Sequence, residues 1–126
     1  MQAIHTDQAP AAIGPYSQAY LANGVLYTSG QIALQKNGEM VVGDVLAEAA
    51  QVFANLYAVL AAAGCAPKDV VRATVYLTDL ADFADVNKLY ADFFGDHKPA
   101  RACVQVAALP KGAQIEMDVI AHLPAN

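Results

Sequence analysis

The chain has 126 residues, enough for one domain with a real core, and a formal net charge of −5. Its seven Lys and Arg residues are scattered singly, which argues against the basic patch that nucleic acids and anionic membrane surfaces require. Because no long uninterrupted apolar run and no signal peptide are visible, we expect a cytoplasmic protein without a spanning helix. Charged residues make up only 15% of the chain, which favours an oligomer with a partly covered surface.

The first third of the chain predicts short strands. Residues 9–15 contain two prolines and a glycine and indicate an irregular segment. Strands are predicted over Ser17–Ala22 and Val25–Ser29, because they flank Asn23-Gly24, the dipeptide most typical of a tight hairpin turn. A further small strand is predicted over Met40–Val42, between two glycines.

A long helix is predicted from Val45 to Ala63, with Asp44 as its N-terminal cap and Gly64 as its C-terminal stop. Its polar residues recur at steps of four, three and four and form one narrow stripe, which we expect to be its solvent-facing side. These residues are Asp44, Glu48, Gln51 and Asn55. The remainder of the helix surface is apolar, which predicts packing on a sheet.

The second half predicts a strand over Val70–Thr78, a helix, and strands over Arg101–Val106 and Gln114–His122. The helix is expected to be capped near Asp79 or Asp82 and to end at Gly95. Its predicted buried face consists of Leu80, Phe83, Val86, Leu89, Tyr90 and Phe93. The order of elements indicates an α+β fold in which one sheet carries both helices on one face.

No recognised cofactor or metal motif occurs in the sequence. Glycine-rich nucleotide-binding loops, metal-ligand spacings of His and Cys, and a serine nucleophile elbow are all missing. We therefore expect chemistry that needs no cofactor and no metal.

The last two predicted strands carry the polar groups best suited to chemistry. Arg101, Cys103 and Gln105 share one strand face, and Glu116 and Asp118 share a face of the final strand. An arginine in apolar surroundings can bind a small carboxylate through two hydrogen bonds, and Glu116 could move protons at the same site. The alternative is a structural ion pair between Arg101 and Glu116 or Asp118.

Several segments, in this order and over nearly the whole chain, resemble the RidA family, also called YjgF-like and historically L-PSP endoribonuclease. They are residues 11–18, 28–32, 74–77 with 83–87, 99–104, and 108–112 with 115–117. The Pro-Ala-Arg at 99–101, the early Gly-Pro-Tyr at 14–16 and the late Ile-Glu at 115–116 are the most specific of these motifs. The resemblance implies a single RidA-like domain over residues 1–126.

The resemblance also implies a fold and an activity. RidA proteins are homotrimers with a chorismate-mutase-like fold, in which a mixed sheet has two helices on one face and the active clefts lie between subunits. They hydrolyse 2-imino and 2-enamino acids, such as 2-aminoacrylate, to 2-keto acids and ammonia without a cofactor. These intermediates leak from pyridoxal-phosphate enzymes, which the hydrolysis protects.

Site residues follow from the matched motifs. The family's carboxylate-binding arginine corresponds to Arg101 and its water-positioning glutamate to Glu116. The pocket residues correspond to Tyr16, Ser29, Gly30, Asn87 and Cys103. This sequence departs from the family at Lys98, where many members have an aromatic residue, and in a shorter loop after Gly95. It also has Glu48 where glutamine is common, which we expect to be a surface change.

Other interpretations remain open at this point. An endoribonuclease would fit the historical name, although the acidic balance counts against it. A non-catalytic sensor could bind a 2-keto acid in the same cleft, and Arg101 alone would suit it, whereas Arg101 with Glu116 favours an enzyme. From the pattern alone, Cys103 is a small buried residue, Cys65 is incidental, and His122 lies on the surface. Asn87 would ordinarily be solvated.

Overall fold

The structure, a computed structural model, describes residues 1–125, in which six strands form one sheet and two α-helices accompany it. The predicted α+β class is confirmed. The strands are β1 (Gln2–Ile4), β2 (Ala19–Ala22), β3 (Val25–Thr28), β4 (Val70–Leu77), β5 (Ala100–Gln105) and β6 (Ile115–His122), and the helices are α1 (Val45–Ala62) and α2 (Phe83–Phe94). Strand β1 was not predicted, because three residues are too few to show an alternating pattern.

The sheet has the strand order β1-β2-β3-β6-β4-β5. All neighbouring pairs are antiparallel except β4 and β5, which are parallel and joined through α2. The predicted hairpin between β2 and β3 is confirmed, since Asn23 (φ 52°) and Gly24 (φ 77°) both have the positive φ that its tight turn needs.

The two faces of the sheet differ in what covers them. On β6, Ile115, Met117 and Val119 are buried beneath the helices, and on β4 the same side presents Ala73 and Val75. The alternate residues project to the opposite face, which carries no helix in the described part of the chain. That open face presents Tyr20, Tyr27, Thr74, Tyr76, Glu116, Asp118 and Ile120.

Helix α1 is the main core helix. Asp44 caps it by accepting a hydrogen bond from the Ala47 N–H at 2.9 Å, and Gly64 (φ 81°) ends it, as predicted. By length and composition α1 could cross a membrane, but half of its residues are buried within this fold. This extent of burial is typical of a core helix.

Two local predictions are wrong. Met40–Val42 does not form a strand, and only Met40 makes a single bridge, to Leu34. Leu80 is 45% exposed, because residues 80–82 form a separate 3₁₀ turn before α2 begins at Phe83. Asp79 caps this turn by accepting from the Ala81 N–H, so the buried face of α2 starts one turn later.

Candidate functional site

Arg101 lies on the edge strand β5 with its guanidinium group held by α2. One N–H donates to Asn87 Oδ1 at 2.6 Å, and Cζ lies 5.0 Å from the ring centre of Phe83 and 4.7 Å from that of Tyr90. The amide oxygen and the two rings fix the group without neutralising its charge. Arg101 is exposed, so its remaining donors are available to an anion.

The guanidinium group borders a cavity of about 400 Å³, which we call the arginine cavity. It lies between α2, the loop that follows α2, and the start of β5. Its wall is formed by Asn87, Tyr90, Ala91, Phe94, Gly95, His97, Lys98, Pro99 and Arg101.

Glu116 borders a second cavity, of about 280 Å³, which we call the glutamate cavity. Tyr16, Gly30 and Lys111 contribute to its wall, and Lys111 adopts a φ of 57°, which non-glycine residues rarely do. A Cβ atom on Gly30 would overlap the carboxylate of Glu116, so only glycine allows that carboxylate its place. The apolar part of the wall includes Pro10, Ala11, Ala12, Ile13, Ile32 and Leu34.

The electrostatics of the open sheet face raise the pKa of Glu116. Burial raises the pKa of Glu116, and the neighbouring Asp118 raises it further. Burial also raises the pKa of Asp118, although the hydrogen bond from the Tyr76 hydroxyl (3.1 Å) and the charge of Arg72 oppose this. A carboxyl group with a raised pKa keeps its proton to higher pH than an ordinary one, which favours a role in general acid–base chemistry.

Two of the predicted pocket residues border neither cavity. Ser29 precedes Gly30, and its hydroxyl donates to the Ser17 carbonyl at 2.5 Å, which anchors the strand end beside the glutamate cavity. Cys103 follows Arg101 on the same sheet face, half-buried, and burial raises the pKa of its thiol more than Arg101 lowers it. That thiol is suited to packing rather than to nucleophilic attack.

The structure separates Arg101 from Glu116. Arg101 pairs in register with Ala73 on the helix side of the sheet, whereas Glu116 and Asp118 project from the open face. Within one chain, Arg101 lies with Asn87, and Glu116 lies with Tyr16 and Gly30. The alternative of an ion pair between Arg101 and either carboxylate of its own chain is therefore wrong.

Buried amide side chains that the sequence analysis did not assign to the site hold the glutamate cavity in shape. Gln18 Nε2 donates to the Pro10 carbonyl at 2.8 Å, and Asn55 Nδ2 donates to the carbonyls of Leu34 at 2.8 Å and Ile32 at 3.2 Å. The three carbonyls belong to residues of the cavity wall. The polar stripe of α1 thus faces the protein, contrary to prediction, because irregular backbone beside it needs hydrogen-bond partners.

The expectation that Glu48 lies on the surface is also wrong. Glu48 is 5% exposed, and its carboxylate accepts hydrogen bonds from the Gln114 backbone N–H at 2.9 Å and from the Gln114 side-chain amide. The carboxylate holds the segment that leads into β6, and β6 carries Glu116. No group of three His, Cys, Asp or Glu residues in the described chain is close enough to hold a metal ion.

Three comparisons with known proteins match nearly the whole chain. A family model described as endoribonuclease L-PSP matches residues 6–123. Protein DfrA of Myxococcus xanthus is 55% identical over 123 residues, which are 95% of this chain and 94% of that protein. A Capra hircus protein named 2-iminobutanoate/2-iminopropanoate deaminase is 50% identical over 119 residues, covering 94% of this chain and 87% of the relative. The solved structure of E. coli TdcF with bound serine has a TM-score of 0.92 at 41% identity, over 98% of this chain and 100% of that one.

Proposed function

The chain belongs to the RidA family, also named endoribonuclease L-PSP, and we propose that it hydrolyses 2-imino and 2-enamino acids to 2-keto acids and ammonia. The Capra hircus relative, half identical in sequence, is named for this activity. The observation that carries the proposal is the guanidinium of Arg101, which is exposed, fixed in place and free of a carboxylate partner among residues 1–125. In the cytoplasm such an enzyme would remove 2-aminoacrylate before it damages pyridoxal-phosphate enzymes.

Arg101 binds the substrate carboxylate in this proposal. A planar guanidinium donates two parallel hydrogen bonds to a carboxylate and so fixes the plane of the imine beside it. Asn87 keeps the guanidinium oriented, and Phe83 and Tyr90 shield it from water on one side. The serine bound to TdcF shows that a family member of this fold accepts a small molecule with a 2-amino acid carboxylate.

The complete site requires two copies of the chain. Because Arg101 and Glu116 lie on opposite sheet faces, we propose that the arginine cavity of one copy meets the glutamate cavity of the next. A closed ring of three copies repeats this heterologous contact three times and gives three equivalent clefts. Tyr16 and Gly30 then line each cleft from one copy, with Ser29 next to Gly30, and Asn87 lines it from the other copy, with Cys103 on the same strand face as Arg101.

Glu116 moves the protons of the reaction. Its carboxylate takes a proton from water as the water oxygen adds to C2, and the C=N electrons pass to nitrogen. The resulting carboxylic acid donates that proton to nitrogen, which gives a carbinolamine. A second transfer from the carbinolamine hydroxyl to nitrogen, again through Glu116, releases ammonia and the 2-keto acid. Positioning and proton transfer suffice, since free imines hydrolyse slowly by themselves.

The test is release of 2-keto acid from imines that an amino acid oxidase generates in situ, with and without the protein. We expect the protein to raise the rate above that of spontaneous hydrolysis, without added metal or cofactor. A rate equal to the spontaneous one, in protein that binds 2-keto acids, would support the sensor instead. Cleavage of RNA by the same preparation, lost in Glu116→Gln, would support the endoribonuclease.

A further inference from the structure

A second cationic residue, Lys98, borders the arginine cavity from an exposed position, and the proposed reaction does not use it. Lys98 forms part of its wall together with Arg101, and no Asp or Glu residue borders the cavity. This charge distribution is unusual for a chain with a net charge of −5 and only seven Lys and Arg residues. Two cations on one small cavity create a local potential that attracts an anion with more than one negative charge.

The loop that carries Lys98 is fixed in place. His97 Nε2 lies 2.6 Å from the Val70 carbonyl oxygen, and this oxygen can only accept, so the ring nitrogen donates. The His97 ring also contacts Phe94 edge-on, with 6.2 Å between the ring centres. Both contacts tie the residue before Lys98 to the core, so the lysine backbone is held at the cavity rim.

We propose that Lys98 forms a second carboxylate subsite in the arginine cavity, and that the chain favours 2-imino acids with a carboxylate on their side chain. This inference rests on the proposed function, because Arg101 is taken to bind the carboxylate next to the imine. The rings of Tyr90 and Phe94 line the same cavity, so apolar surface adjoins the two cationic residues.

The test compares an acidic imine, made from glutamate, with a neutral one, made from alanine, each generated by an oxidase in situ. For the wild type we expect kcat/KM to be about tenfold higher for the acidic imine, as for one added charge-assisted hydrogen bond. Lys98→Gln should lower this ratio about tenfold and Lys98→Glu further, mainly through KM, because the side-chain carboxylate does not react.

Lys88→Gln is the matched control, because it removes the same charge from an exposed position on α2 outside the cavity. It should leave the ratio unchanged. A wild-type kcat/KM ratio (acidic over neutral imine) of one or less, or an unchanged ratio in Lys98→Gln, would overturn the subsite. Turnover of the alanine-derived imine in the same assay would still support the proposed function.

Binding of the two 2-keto acid products distinguishes the Lys98 subsite from the proposed function. Calorimetry should give a lower Kd for 2-oxoglutarate than for pyruvate, and Lys98→Gln should remove the difference. Equal Kd values for the wild type would overturn the subsite. Failure to hydrolyse either imine would overturn the proposed function. It would not overturn the subsite, because the comparison of Kd values tests the subsite without turnover.

Discussion

Arg101 and Glu116 project from opposite faces of one sheet, although they lie on strands that both pair with β4. No side-chain rotation can bring them to one ligand, because the sheet itself lies between them. A site that uses both residues must therefore combine two copies of the chain, and this requirement gives a direct test.

Mixing two inactive variants should restore activity. Arg101→Ala removes the proposed carboxylate anchor, and Glu116→Gln should lower turnover about 10²–10⁴-fold by removing the proposed proton transfer. In a ring of three, each mixed trimer contains one cleft with both native residues, so co-refolding equal amounts should recover about a quarter of the wild-type activity. Keto-acid release before and after co-refolding measures this.

Each variant refolded alone is the control for that experiment and should remain inactive. A monomer mass by light scattering in a fully active wild-type sample would refute the shared cleft. So would the absence of any recovery in samples shown by mass spectrometry to contain mixed trimers.

Arg101→Lys tests the proposed role of Arg101 as a carboxylate anchor. Lysine keeps the charge but loses the two parallel hydrogen bonds, so we expect kcat/KM to fall about tenfold to a hundredfold. The free energy of unfolding should change by only about 1 kcal/mol, the value of the lost contact with the aromatic rings. A buried structural pair would instead cost about 3–5 kcal/mol in Arg101→Ala. Urea unfolding and steady-state kinetics on the same samples distinguish the two.

Gly30→Ala should inactivate the protein through Glu116. The added methyl group would overlap the Glu116 carboxylate and displace it, whereas the backbone at position 30 has no positive φ that requires glycine. We expect a large fall in kcat with little change in melting temperature. In a Glu116→Gln background the same substitution should lower kcat little further, because both changes act on one group. Additive losses would argue against this mechanism.

The raised pKa of Glu116 predicts how stability depends on pH. The folded chain binds this proton more tightly than the unfolded chain, so stability falls as pH rises through the raised pKa and recovers as pH falls. Glu116→Gln should therefore be more stable than the wild type at about pH 8 and lose this advantage near pH 4, where an ordinary carboxyl is protonated. Urea unfolding at fixed protein concentration measures both values. Glu39→Gln, at an exposed position, is the control, and an advantage for Glu116→Gln that is equal at both pH values would contradict the prediction.

Glu48→Ala should destabilise the chain by about 1–3 kcal/mol, because it leaves the partly buried N–H of Gln114 without its acceptor. Glu48→Gln is the matched comparison and should cost less. Its amide oxygen can still accept from that N–H, and the Gln114 side-chain amide can turn over to accept from the new amide group. Thermal unfolding of both variants checks the order, and equal losses would show that the second hydrogen bond matters more than the first.

Elements with a regular pattern were predictable from the sequence. Helix α1 and strand β4 show clear periodicity over many residues, and the Asn23-Gly24 turn requires a specific backbone conformation. The strand prediction for Met40–Val42 was wrong because a short apolar run shows no alternation between two faces. In the structure only Met40 forms a bridge, to Leu34.

The arrangement of the proposed site residues could not be predicted from the sequence. Strand alternation places Arg101 and Cys103 on one face of their strand, and Glu116 and Asp118 on one face of theirs. It does not show whether these two faces lie on the same side of the sheet. That depends on the pairing register of strands far apart in the sequence. The burial of Glu48 and Asn55 was unpredictable for a related reason. A polar helix residue is exposed unless irregular backbone lies beside it, and only the tertiary fold shows where residues 32–34 run.

The position of β5 at the edge of the sheet has a consequence for aggregation during storage. Among the described residues β5 pairs with β4 alone, so its outer backbone N–H and C=O groups are unpaired along six residues. An exposed strand edge of this kind is a template for further strands of the same sequence. A copy released from the proposed assembly presents this edge, and dilute stocks should therefore lose material as precipitate before they lose specific activity.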